Sequence, residues 1–142
     1  MVLFSKSQVL VPIDFSDEAF VALDEALSYV EGPSHLHAIH VLPRLEPTEP
    51  GLVWKTIDDQ SRQDNVKKAF YAREDKPEYK DINFEIALGD PSSEIIDYAK
   101  ANDISLIVIP SHGRTGIGRF LLGSVSERVI RFAHCPVLVL RR

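Results

Sequence analysis

The sequence predicts an α/β protein: a single, doubly wound, five-stranded parallel sheet with helices on both faces. Three observations predict it. Short, β-branched apolar runs alternate with longer segments of helical periodicity along the whole chain, and strands separated by helices imply parallel pairing through right-handed crossovers. The length of 142 residues suits one domain over 1–142 with a core of its own. Residues 104–125 place an apolar strand, four glycines (Gly113, Gly116, Gly118, Gly123) and a helix start in direct succession. That layout suits phosphate, because glycines admit close backbone approach and a helix start offers unpaired N–H groups and partial positive charge.

The elements follow in order. Residues 8–13, Q-V-L-V-P-I, read as a first strand ending at Asp14. Ser16 is a favourable N-cap, Asp17 and Glu18 suit the first turn, and Phe20, Leu23, Leu27 and Val30 recur at helical spacing until Gly32-Pro33. A second strand covers residues 35–42, with Leu36, Ala38 and Val41 as its candidate buried members. Residues 43–51 hold three prolines and several charges and read as an exposed loop. A weakly amphipathic helix is predicted over 57–75, with Ile57, Val66, Ala69 and Phe70 inward. Residues 82–88 alternate as Ile82, Phe84, Ile86 and Leu88, a strand pattern.

Gly89 turns the chain, Asp90 caps, and Pro91 fits a first helical position, where a missing N–H costs nothing. Ile95, Ile96, Tyr98 and Ala99 form that helix's inner face, and Asn102 is the expected left-handed end. The fourth strand, from Ile104 to Ile109, stops at Pro110; a helix from Ser124 and a last strand over Val137–Leu140 complete the chain. Ligands of such sheets sit at the carboxyl ends of the strands, where strand order reverses. If the first and fourth strands are neighbours, Asp14 and the glycine loop face one crevice.

Composition narrows the function. The chain has no run of about 18 apolar residues, so no membrane span is expected. Residues 1–6 are too quickly followed by a strand to be a secretory signal. A lone cysteine, Cys135, excludes an internal disulfide and fits a cytoplasmic protein. A net charge of −5 argues against nucleic acid and anionic membranes as partners.

Several candidate residues have two readings. Ser124 meets a phosphate or, with Glu127, forms a capping box. Gly113 and Gly123 approach a ligand or serve tight turns, Gly116 and Gly118 give loop flexibility, and Asp14 meets a ligand or caps. Arg114, Arg119 and His112 either reach an anion or lie in solvent. His35, His37 and His40 suggest metal at first sight, but alternation sends His40 to the opposite face and no carboxylate or thiol completes a set. Cys135 reads as a small hydrophobe.

Five segments together resemble the universal stress protein family: V-P-I-D-F-S at 11–16, H-V-L at 40–42, G-D-P-S-S-E-I at 89–95, S-H-G-R-T-G-I-G-R-F-L-L-G-S-V-S-E-R-V at 111–129 and C-P-V-L-V-L at 135–140. The resemblance covers the whole chain. It implies strand order 3-2-1-4-5, ATP as ligand with or without Mg²⁺, and a homodimer through Val137–Leu140, with a further protein partner unidentified. ATP-binding members carry G-x-x-G, nine residues, then G-[ST]; here the frame falls on Pro110, Gly113, Gly123 and Ser124. By position the resemblance places Pro12, Asp14 and Val41 around the adenosine, Asp14 near the ribose, and Gly113, Gly123, Ser124 and Val125 along the phosphates. Pro110 is the departure, with no N–H to donate and φ held near −65°.

Four functions compete. An ATP-binding cytoplasmic stress or regulatory protein is favoured, with a nucleotide-free dimeric interaction module as the alternative. An adenylate-transferring enzyme needs a histidine pair, and S-H-G-R supplies one; a hydrolase needs a base at the terminal phosphate, and Asp14 belongs to the nucleoside end. Slow incidental ATP turnover is compatible with that reading. A phospho-receiver needs clustered acids after the first strand and a lysine ending the fifth, where Asp14 stands alone and Arg141-Arg142 close the chain.

Overall fold

The computed structural model describes residues 8–44, 59–72, 77–111 and 123–141. Its strands are β1 (Val9–Pro12), β2 (Leu36–Leu42), β3 (Asn83–Leu88), β4 (Leu106–Pro110) and β5 (Val137–Leu140). The α-helices are α1 (Asp17–Tyr29), α2 (Asp59–Tyr71), α3 (Pro91–Ala101) and α4 (Ser124–Phe132), with 3₁₀ turns at Pro33–His35 and Pro77–Asp81. All pairings are parallel and the strand order is β3-β2-β1-β4-β5, as expected.

Apolar strands bury both of their faces. Val9, Val11, Leu36, Ala38, Leu106 and Val108 pack with Phe20 and Leu23 of α1 and Phe70 of α2. Leu10, Ile39, Ile107 and Ile109 face the other way, against Ile95 and Ala99 of α3 and Val129 of α4. Period-two alternation through central strands with no solvent face explains why β1 and β4 read as unbroken hydrophobic runs.

Caps follow the sequence at two helices. Ser16 Oγ accepts from the Ala19 amide at 3.1 Å to start α1. Asp90 caps α3, its carboxylate accepting from the Ser93 amide at 3.0 Å and from the Ser92 and Ser93 hydroxyls. Those bonds hold Asp90 below the usual carboxylate range, the Ser93 amide contributing most.

Elsewhere the structure corrects the reading. Ala69 is exposed, not inward; α2 docks through Phe70, with Val66 half-buried. Asn102 has φ −111°, and the left-handed residue is Asp103 at φ 50°, so α3 unwinds one position later. His35 sits in a 3₁₀ turn rather than in β2. Pro110 is the last residue of β4, paired with Leu140, rather than the residue beyond it. Ile57, Trp54 and residues 45–51 and 73–75 lie outside the described residues.

Candidate functional site

Sheet pairing opens a crevice at the centre of the carboxyl edge. β1 pairs with β4 only as Val9↔Leu106 and Leu10↔Ile107, while its pairing with β2 continues to Pro12↔Ile39. β1 and β4 therefore part before their ends, at the point where strand order reverses. A cavity of about 260 Å³ fills the gap. Pro12, Asp14, Val41, Pro110, Gly123, Ser124 and Val125 all line it. Gly113, with His112, Arg114, Gly116, Gly118 and Arg119, lies outside the described residues.

From β1 the chain enters α1 through a tight turn. Asp14 Oδ1 accepts from the Ser16 amide at 2.9 Å, a local turn suited to a short acidic side chain. Between them Phe15 holds φ 63°, a conformation bulky side chains rarely adopt. From β2 comes Val41, half-buried and packed on the α3 and α4 side of the core. Val41, Ile109 and Val129 give the cavity apolar walls, suited to a flat aromatic base.

β4 and α4 form the other side. The amides of Ile107 and Ser111 donate to the carbonyls of Pro136, just before β5, and Leu140, at its end, each at 3.0 Å. Parallel ladders serve alternate neighbours with alternate residues, so the nitrogen of Pro110 turns toward β1 and the crevice. The missing N–H is thus missing on the cavity side.

Gly123 caps α4 with φ −66° and ψ 157° and no side-chain cap bond. This corrects the capping box built on Ser124. The helix begins one residue earlier than that box requires, so Ser124 is its first residue, and Glu127 turns away to pair with Arg131 at 2.7 Å. A φ of −66° is open to any residue, so a tight turn does not explain glycine at 123.

Sequence reasoning missed Ile13, His40, Pro91 and Ser126, which also line the cavity. Their one shared signal is position, at strand ends or in first helical turns of a fold whose ligands bind there. Cys135 is half-buried, and burial pushes its thiol up, as expected of a packing residue rather than a nucleophile. Among the described residues no group of three or more His, Cys, Asp or Glu side chains could hold a metal, and no helix is long and apolar enough to cross a membrane.

The model of the universal stress protein family matches residues 7–141. Universal stress protein YxiE of Bacillus subtilis is 33% identical, over 95% of this chain and 99% of its own. Universal stress protein MJ0531 of Methanocaldococcus jannaschii is 32% identical, over 95% of this chain and 82% of its own. Among solved structures, that of MJ0577, described as a structure-based assignment of biochemical function, superimposes with a TM-score of 0.73 at 28% identity, covering 99% of this chain and 98% of the other.

Proposed function

This chain belongs to the universal stress protein family, and from that premise we propose that it is a cytoplasmic stress-response protein that binds ATP, with or without Mg²⁺, as a regulatory ligand rather than as a substrate. One observation carries the reading: where β1 and β4 part, Asp14 and the first residues of α4 line one largely apolar cavity. Apolar walls suit adenine, a carboxylate suits the sugar hydroxyls, and a glycine-capped helix start suits phosphate. A volume of about 260 Å³ is just under the usual range of small-ligand pockets, roughly 300–1,000 Å³, and fits a nucleoside better than a whole nucleotide. The phosphates would run out past Gly123 and Ser124. Two more distant proteins of this fold were solved with nucleotides, one with cAMP and one from Arabidopsis thaliana with AMP, at 22% and 19% identity. At that distance the likeness is one of fold.

Pro110 favours a second reading, a nucleotide-free dimeric module, because it withdraws a donor from the cavity side of β4. Titration calorimetry of nucleotide-stripped protein with ATP and Mg²⁺ separates the two. Saturable binding at one site per chain is expected. Absence of binding up to millimolar ATP would overturn the nucleotide reading in favour of the module.

A further inference from the structure

The turn that carries Asp14 is held by a side chain from the neighbouring strand. His40 Nδ1 lies 2.6 Å from the carbonyl oxygen of Ile13, which can only accept, so Nδ1 carries the proton and donates. The Ile13 amide in turn donates to the Ile39 carbonyl at 2.7 Å, so residue 13 is fastened to β2 from both its amide and its carbonyl. The His40 ring also meets Phe15 edge-on, with centroids 4.9 Å apart and planes at 85°, while Phe15 packs edge-on against Phe20 at 5.6 Å. Phe15 is the residue at φ 63°. A conformation of that kind persists only where its surroundings over-determine it. Here those surroundings are the Ser16 amide on Asp14, the Phe20 ring and His40. Ile13, Asp14 and His40 all border the same cavity.

We propose that His40 is a positioning residue for that cavity: its bond to Ile13 and its edge contact with Phe15 fix the turn that presents the Asp14 carboxylate to the sugar hydroxyls of a bound nucleoside. The proposal deepens the nucleotide reading above and rests on it for the ligand, but the tether itself is a property of the unliganded chain. Preorganising the carboxylate removes an ordering cost from binding. It acts on recognition of the sugar and leaves the phosphate end, built on α4, untouched.

Three measurements on the full chain test it. In the unliganded wild type, ¹⁵N shifts of the imidazole should show Nδ1 protonated at neutral pH; an Nε2–H tautomer would overturn the tether without any mutation. Hydrogen exchange at the Ser16 amide should quicken roughly two- to tenfold in His40→Phe, which keeps an aromatic edge but cannot donate, and recover in His40→Asn, whose amide can. Unchanged exchange in folded His40→Phe would overturn the proposal. Finally, wild type should prefer ATP over 2′,3′-dideoxy-ATP, and His40→Phe should shrink that preference by weakening ATP more than dideoxy-ATP. An undiminished preference, or equal loss for both nucleotides, counts against positioning of the sugar site. If wild type binds neither nucleotide, the nucleotide reading falls and with it the sugar-presenting role, while the tautomer and exchange results still decide the tether.

Discussion

Tyr98 Oη donates to Nδ1 of His37 across 2.7 Å, tying α3 to β2 within the sheet's buried layer. The other ring nitrogen, Nε2, donates to Gln8 Oε1. Neutral His37 therefore has both nitrogens satisfied, while a protonated ring would confront Tyr98 with a second donor. Burial holds His37 below its ordinary value; burial, aided by the Glu85 carboxylate, pushes the Tyr98 phenol up to about 12. With a folded value below the unfolded one near 6.5, the unfolded chain binds more protons between the two, so stability falls as pH drops below about 6.5. Urea midpoints at pH 7 and pH 5.5 should differ more for wild type than for His37→Gln, which cannot titrate. Equal differences would remove His37 from the acid response.

At Gly123, cap stability and ligand affinity should move in opposite directions. Aspartate is a better N-cap than glycine by a few tenths of a kcal/mol and suits the positive end of α4. It also sets a side chain and a negative charge where phosphate is proposed to sit. Gly123→Asp should keep or slightly raise the melting temperature and lose ATP binding in calorimetry. A Gly123→Asp protein with wild-type ATP affinity places the phosphates elsewhere.

Pro110 offers the converse experiment. Its nitrogen faces the crevice, so Pro110→Gly adds a donor there without disturbing the Ser111 bond to Leu140. ATP affinity should rise by up to about 1.5 kcal/mol, the net worth of one hydrogen bond. Unliganded stability should fall by about 0.4–1 kcal/mol, because glycine frees the unfolded chain. Weaker binding by Pro110→Gly would show that proline preorganises the crevice.

α2 shows where sequence pattern stops informing. β1, α1, α3 and β4 were legible because long apolar faces and short polar caps such as Ser16 and Asp90 act locally. Strand order and the family came from motif resemblance, which periodicity alone could not supply. α2 anchors instead through stacking decided in three dimensions: Phe70 lies 4.1 Å from Phe84 with planes 4° apart and stacks on Tyr79 at 5.2 Å. Docking concentrated at Phe70 leaves almost no periodic trace, and the neighbouring Ala69 is exposed. The cavity was legible as strand ends, but His40 was not, because its partner is a backbone carbonyl just beyond the end of β1. Phe70→Ala should cost about 3–5 kcal/mol in chemical unfolding, while the exposed Ala69→Gln should be near neutral. Comparable losses from both would refute this docking.

Assembly follows from the sheet's open edge. Among the described residues β5 pairs with β4 alone, and the carbonyls of Pro136 and Leu140 accept from the amides of Ile107 and Ser111. By alternation, Leu138 and Leu140 serve that ladder, and the backbone groups of Val137 and Val139 point outward. Leu138 adds exposed apolar surface on this strand, 43% accessible. An apolar edge with unpaired backbone groups and no internal proline or charge is a template for another strand, and two-fold antiparallel pairing closes it. We therefore expect a homodimer through Val137–Leu140, with Arg141 at its margin. Val139→Pro removes an outward donor while sparing the bonds to β4, so the monomer's fold should survive. Sedimentation at micromolar concentration should show dimer for wild type and monomer for Val139→Pro, with similar circular dichroism. A monomeric wild type, or a variant that remains fully dimeric, would place any self-association on another surface.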